Sequence, residues 1–186
     1  MPPMKFIGSA LKEIGTLIVL AVLIVVPIRV FVAQPFVVEG DSMFPTFHSA
    51  DYLIIDQLTY RFSEPKRGDV IVFRYPNKPS VFYIKRVIGL PGETVSIERG
   101  ITTITRADGT TLTLEEPYVV QEDATYDQTT TLGTDQYFVM GDNRPRSSDS
   151  RVWGPLPKED IMGRAFFRLL PPASTGVFPG SVTLPQ

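Results

Sequence analysis

From Ile14 to Ile28 the chain runs fifteen residues without a charge, and after Arg29 the apolar run resumes as far as Ala33. Ile14 to Ala33 is 20 residues, about 30 Å as a helix, which matches the hydrocarbon thickness of a bilayer. The pattern predicts a single membrane-spanning helix over 14–33. Arg29 lies near its far end, where a long side chain can reach the headgroups. Lys5 and Lys12 precede the run, and after Arg29 no Lys or Arg appears until Arg61. That asymmetry places the N-terminus in the cytoplasm and the remainder of the chain outside. A cut after Ala33 would put the bulky Phe31 at −3, so the segment reads as a retained anchor and not a cleaved leader.

Beyond the anchor the periodicity changes to that of strands and turns. VIVFRY (70–75) is bounded by Gly68 and Pro76, and SVFYIKRVIG (80–89) ends at Leu90-Pro91-Gly92. ITTITR (101–106) and TTLTL (110–114) are joined through Asp108-Gly109, a strong tight-turn signal, so 94–114 is expected to be a hairpin. Residues 121–135 read as an exposed loop and QYFVMGDN as one more strand and turn. The chain divides into a cytoplasmic N-terminus (1–13), the anchor (14–33), a mainly-β ectodomain (34–172) and an irregular Pro/Gly-rich tail (173–186).

Composition narrows the chemistry. Eighteen Lys and Arg against 20 Asp and Glu give a net charge of −2, which offers no footprint for nucleic acid. Seventeen Pro in 186 residues argue against a helical bundle. Mean hydropathy of +0.06 hides the concentration of apolar residues in one segment. With no Cys and one His, disulfides, thiolate nucleophiles and a zinc centre drop out. No metal or cofactor is expected.

Three places could carry chemistry. Ser42, in Gly40-Asp41-Ser42-Met43-Phe44-Pro45, follows an apolar stretch close to the anchor; it reads either as a turn serine or as a nucleophile. In Tyr83-Ile84-Lys85-Arg86-Val87-Ile88, strand alternation sets Lys85 with Tyr83 and Val87 and sets Arg86 with Ile84 and Ile88. At least one cation must then lie among apolar neighbours. Lys85 is either a snorkelling or paired lysine or, if desolvated, a neutral amine able to act as a base. The segment 141–154 packs Asp142, Asp149, Arg144, Arg146, Arg151 and three serines together, as a solvated loop or a rigid ion-paired one. His48, the sole imidazole, is the one partner available for a Ser-His arrangement and sits in a turn-like stretch.

Together these segments resemble the type I signal peptidases, membrane-anchored Ser-Lys proteases. GDSMFPT (40–46), RGDVIVF (67–73), YIKRVIGLPG (83–92) and GDNRPRSSDSRVWG (141–154) match that family's four boxes in order, and the single anchor and the short insert 93–136 resemble its compact forms. The resemblance implies a coiled antiparallel β-sheet ectodomain. It implies Ser42 as nucleophile and Lys85 as general base, with the Ser42 N–H in the oxyanion hole. Ser147 would orient the Lys85 amine, and Asp149 would pair with Arg151 or Arg144 behind the site. Gly40 stands where some members carry a serine that donates a second oxyanion hydrogen bond. Asp41 flanks the nucleophile. Met43 would face the substrate groove, with Phe36, Val38, Tyr83 and Ile84 as further pocket residues. The implied substrates are preproteins leaving the export machinery, cut after small residues at −1 and −3 by a monomer in the plasma or thylakoid membrane. The alternatives are a self-cleaving Ser-Lys protein, a catalytically inactive membrane-tethered binding module, and a Ser-His hydrolase using His48.

Overall fold

The computed structural model describes residues 4–27 and 32–186. Helix α1 spans Met4–Pro27. It begins ten residues before the expected span, because the polar residues ahead of Ile14 continue the helix. It also ends sooner: Ala33, taken as the last residue of the span, is the first of strand β1 (Ala33–Val37). Residues 28–31, including Arg29, lie outside the described residues. Among the described residues no helix is long and apolar enough to cross a membrane. The apolar side chains of α1 from Ile14 to Val26 are exposed.

The rest is mainly β, as expected. Strands β2 (Tyr52–Asp56), β3 (Val70–Tyr75), β4 (Lys78–Gly89), β5 (Thr94–Glu98), β6 (Ile101–Thr105), β7 (Thr111–Thr113), β8 (Gln128–Thr131), β9 (Gln136–Met140), β10 (Leu156–Pro157), β11 (Ile161–Leu170) and β12 (Gly176–Val177) follow in chain order, with a single helical turn, α2 (Ser150–Trp153), after β9. They form a sheet in the order β1-β2-β11-β3-β4-β9-β10, with β12 added to β11, and a smaller sheet β7-β6-β5-β8. All pairings are antiparallel.

β3 is buried from Val70 to Phe73 without alternation, because both faces of its sheet are covered, as in any strand sandwiched between two layers. One face packs Val70, Val72 and Ile84 against Val38, Met43, Leu53 and Ala165. The other packs Ile71, Phe73, Tyr83 and Val87 against Tyr137, Val139 and Leu156. For this reason Lys85 and Arg86 are both buried, whereas Lys78 at the start of β4 is exposed. Lys85 is 3% exposed and Arg86 fully enclosed. Arg86 survives burial because Asp142 takes two of its hydrogen bonds, at 2.9 and 2.6 Å, and the Gly68 and Gly180 carbonyls accept two more.

Two expectations are corrected here. The loop 121–135 contains β8, an edge strand whose Thr129 and Thr131 hydroxyls bond Ser96 and Thr94 across β5. Its exposed face is polar, so hydrophobic alternation gives no sign of it. The tail 173–186 is not irregular throughout: β12 pairs with β11, Leu184 is buried, and the Pro185 carbonyl accepts from Arg67 Nε at 2.7 Å. Arg67 is also held by Glu93 through two hydrogen bonds.

Candidate active site

Ser42 sits in a turn between β1 and β2, and Lys85 lies 43 residues later in the middle of β4. The fold brings them together: Lys85 Nζ is 2.7 Å from Ser42 Oγ and 2.9 Å from the Ile84 carbonyl. The amine also lies 5.1 Å from the Tyr83 ring centre. Burial lowers its pKa from 10.5 to about 8, against the opposing pull of the Asp149 and Asp142 carboxylates, which raise it.

The loop carrying Ser42 is pinned by the 141–154 segment. The Asn143 N–H donates to the Ser42 carbonyl at 3.0 Å, and the Asn143 side-chain amide donates to the Asp41 carbonyl at 3.0 Å. Gly141 lies under Ser42 so closely that a Cβ there would collide with the Ser42 carbonyl oxygen and with Ser147 Oγ. Asp149, fully buried, fixes this approach. It accepts from the Gly141 N–H at 3.0 Å and from Arg151 Nε and Nη2 at 2.8 and 2.9 Å. It also caps α2 by accepting from the Arg151 N–H. Arg151 in turn donates to the Arg144 carbonyl. The expected Asp149–Arg151 pair is therefore present. Arg144 pairs instead with Glu116, a residue that nothing in its local sequence singles out.

Other expected residues fall differently. Ser147 Oγ is buried and has no hydrogen-bond partner, so it does not bond the Lys85 amine. Met43 is 1% exposed and belongs to the core beneath the site, not to the groove. The chain turns tightly here, with the Phe44 N–H bonded to the Asp41 carbonyl and the Phe47 N–H to that of Met43, and this turn drives Met43 inward. Gly40 has φ +83°, a left-handed conformation that suits glycine, and carries no hydroxyl. Asp41 is exposed and pairs with Arg146. His48 is exposed, its ring against Phe44, in a hollow with Asp51 and Arg168 and away from the Lys85 cleft.

Ser42 and Lys85 open into a cleft of about 360 Å³ walled by Phe36, Val38, Leu53, Val72, Tyr83 and Ile84. Four of these were expected; Leu53 and Val72 were not, and Val72 shares with Val70 and Ile84 the face that packs on Leu53. Phe36 meets Phe82 edge-on at the rim. β9 pairs with β4 over Arg86, Val87 and Gly89, and among the described residues no strand pairs with that edge of β4 from Ser80 to Lys85. Among the described residues no group of acidic, His or Cys side chains could hold a metal ion.

The cleft thus brings a turn serine and a desolvated amine together among mostly apolar walls. The model of the family described as signal peptidase, peptidase S26, matches residues 11–170. The chain belongs to this family. Probable signal peptidase I-1 of Synechocystis sp. is 38% identical over 181 residues, covering 94% of this chain and 88% of the relative. Signal peptidase I of Leptolyngbya laminosa is 39% identical over 171 residues, covering 88% and 79%. A crystal structure of signal peptidase I from Enterococcus faecalis is 34% identical, with a TM-score of 0.46 over 55% of this chain and 97% of that one. As a type I signal peptidase the protein is a serine endopeptidase that removes signal peptides from preproteins.

Proposed function

We propose that Ser42 and Lys85 carry out this cleavage as a dyad. The observation that carries the reading is the 2.7 Å contact between Lys85 Nζ and Ser42 Oγ, made by an amine whose pKa burial brings to about 8. Neutral Lys85 removes the Ser42 proton as Oγ adds to the scissile carbonyl. The Ser42 N–H, which donates to no backbone carbonyl among the described residues, faces the developing oxyanion. The intermediate collapses to an ester on Ser42 as the Lys85 ammonium protonates the leaving amine. Lys85 then takes a proton from water, which hydrolyses the ester and frees Ser42.

The apolar walls of the cleft favour small side chains at −1 and −3, because larger ones overfill it. The unpaired edge of β4 would align the substrate backbone as an added strand. The enzyme acts as a monomer on preproteins leaving the export machinery. It is held to the plasma or thylakoid membrane by the 14–33 segment, with its N-terminus cytoplasmic and residues 34–186 outside. The exposed apolar face of α1 and the continuation of the apolar run past Pro27 support this anchoring.

The test uses the full-length chain and a preprotein with an Ala-x-Ala site. Ser42→Ala and Lys85→Ala should each reduce kcat/KM on the order of 10⁴-fold or more, and His48→Ala should leave it nearly intact. The wild-type rate should rise as pH passes through about 8. Activity surviving in Lys85→Ala but lost in His48→Ala would replace the dyad with a Ser-His arrangement. Exposure of residues 34–186 to protease added outside intact cells tests the topology.

A further inference from the structure

The turn that carries Ser42 borders more than the Lys85 cleft, because Asp41 and Phe44 on either side of the serine line a second hollow. This hollow has a volume of about 420 Å³ and is walled by Phe44, Val120, Gln121, Asn143 and Pro145. The two hollows share two residues, Asp41 and Arg146. Their side chains form an ion pair at 3.2 Å with both partners more than half exposed, a bar between the hollows one residue from Ser42. The Asn143 amide that bonds the Asp41 carbonyl ties a wall of the second hollow to the nucleophile loop.

A peptide cut at Ser42 has to extend in two directions. The Lys85 cleft takes the residues ahead of the scissile bond. For the residues behind it, the way past Asp41 and Arg146 leads into the second hollow, since those two residues line both. The walls there suit a peptide: Phe44 and Val120 present apolar surface, and the exposed Gln121 amide offers a main-chain partner. Val120 is 72% exposed, apolar surface beside an active cleft that a bound chain would cover.

We propose that this hollow binds the first few residues of the mature protein, with Phe44 and Val120 receiving an apolar side chain from that segment. The Asp41–Arg146 pair is the crossing point, and an ion pair so exposed parts at little cost. The enzyme therefore selects substrates on both sides of the bond. This rests on Ser42 being the nucleophile.

The test compares two substrates with one signal sequence in the full-length enzyme. One substrate ends after the first mature residue, and the other continues for several residues with apolar side chains at the second and third. The readout is the ratio of kcat/KM for the long substrate to that for the short one, which cancels any general effect on folding or chemistry. Val120→Glu should lower this ratio about tenfold, mainly through KM, and Lys at the second or third mature position should restore it. A ratio unchanged by Val120→Glu, or one that Lys fails to restore, overturns the mature-side site. Cleavage of either substrate by Ser42→Ala would instead fault the nucleophile assignment, so the two failures are distinct.

Discussion

Lys85→Met offers a test of the buried amine that does not depend on turnover. Folding moves the Lys85 pKa from 10.5 to about 8, which corresponds to about 3 kcal/mol at 1.36 kcal/mol per tenfold change. The sign follows from linkage. The native state holds this proton less tightly than the unfolded chain, so the group destabilises the fold. The cost is complete below about pH 8 and fades as pH rises towards 10.5. Met fills similar volume and carries no such cost. It also gives up the hydrogen bonds to Ser42 Oγ and the Ile84 carbonyl, each worth about 1 kcal/mol, which offsets part of the gain at any pH. The difference between Lys85→Met and wild type should therefore favour Met at pH 7 and shrink by about 3 kcal/mol on going to pH 10.5. Urea unfolding of the full chain in mild detergent measures it. Trp153, the single tryptophan, is a built-in reporter, because its ring packs against Phe73 and Tyr75. A difference that stays constant from pH 7 to 10.5 would show that Lys85 is not desolvated in the native state, and the proposed general base would go with it.

Met43→Ala should cost about 2–5 kcal/mol of stability, as for other buried methionines, while leaving the −1 and −3 preference of the folded fraction unchanged; unfolding curves and a substrate panel measure the two effects. Gly141→Ala should lower kcat/KM at least about tenfold, because its Cβ displaces the Ser42 backbone and misplaced catalytic atoms are costly. Asp149→Asn should shift the midpoint of the pH–rate profile below about 8, since the Asp149 charge raises the Lys85 pKa; a shift upward would contradict the electrostatic picture of the site.

The proposed dyad is legible in the sequence largely through what the chain lacks. One His and no Cys push any serine chemistry towards a lysine base, and β4 alternation already requires at least one cation among apolar neighbours. That both Lys85 and Arg86 are buried was not legible, because alternation cannot say that both faces of a sheet are covered. Met43 shows the opposite failure. It adjoins the proposed nucleophile in the sequence, but the tight turn sends successive side chains in unrelated directions, and sequence proximity to Ser42 carries no information about facing. The Arg144–Glu116 pair and the Gln121 wall of the second hollow join segments more than twenty residues apart, with no local signal in either.

By itself the sequence determined the apolar run at the front, the strands with hydrophobic cores and the residue types available for catalysis, because each is a property of neighbouring positions. It did not determine β8, whose exposed face is polar, or β11, where Gly163, Arg164 and Arg168 interrupt the apolar pattern and bulges shift the register. The tertiary structure alone decided the 2.7 Å approach of Lys85 to Ser42 and the lowering of the Lys85 pKa. Both depend on how much water the folded chain excludes from one point, and exclusion of water is a sum over residues distant in sequence.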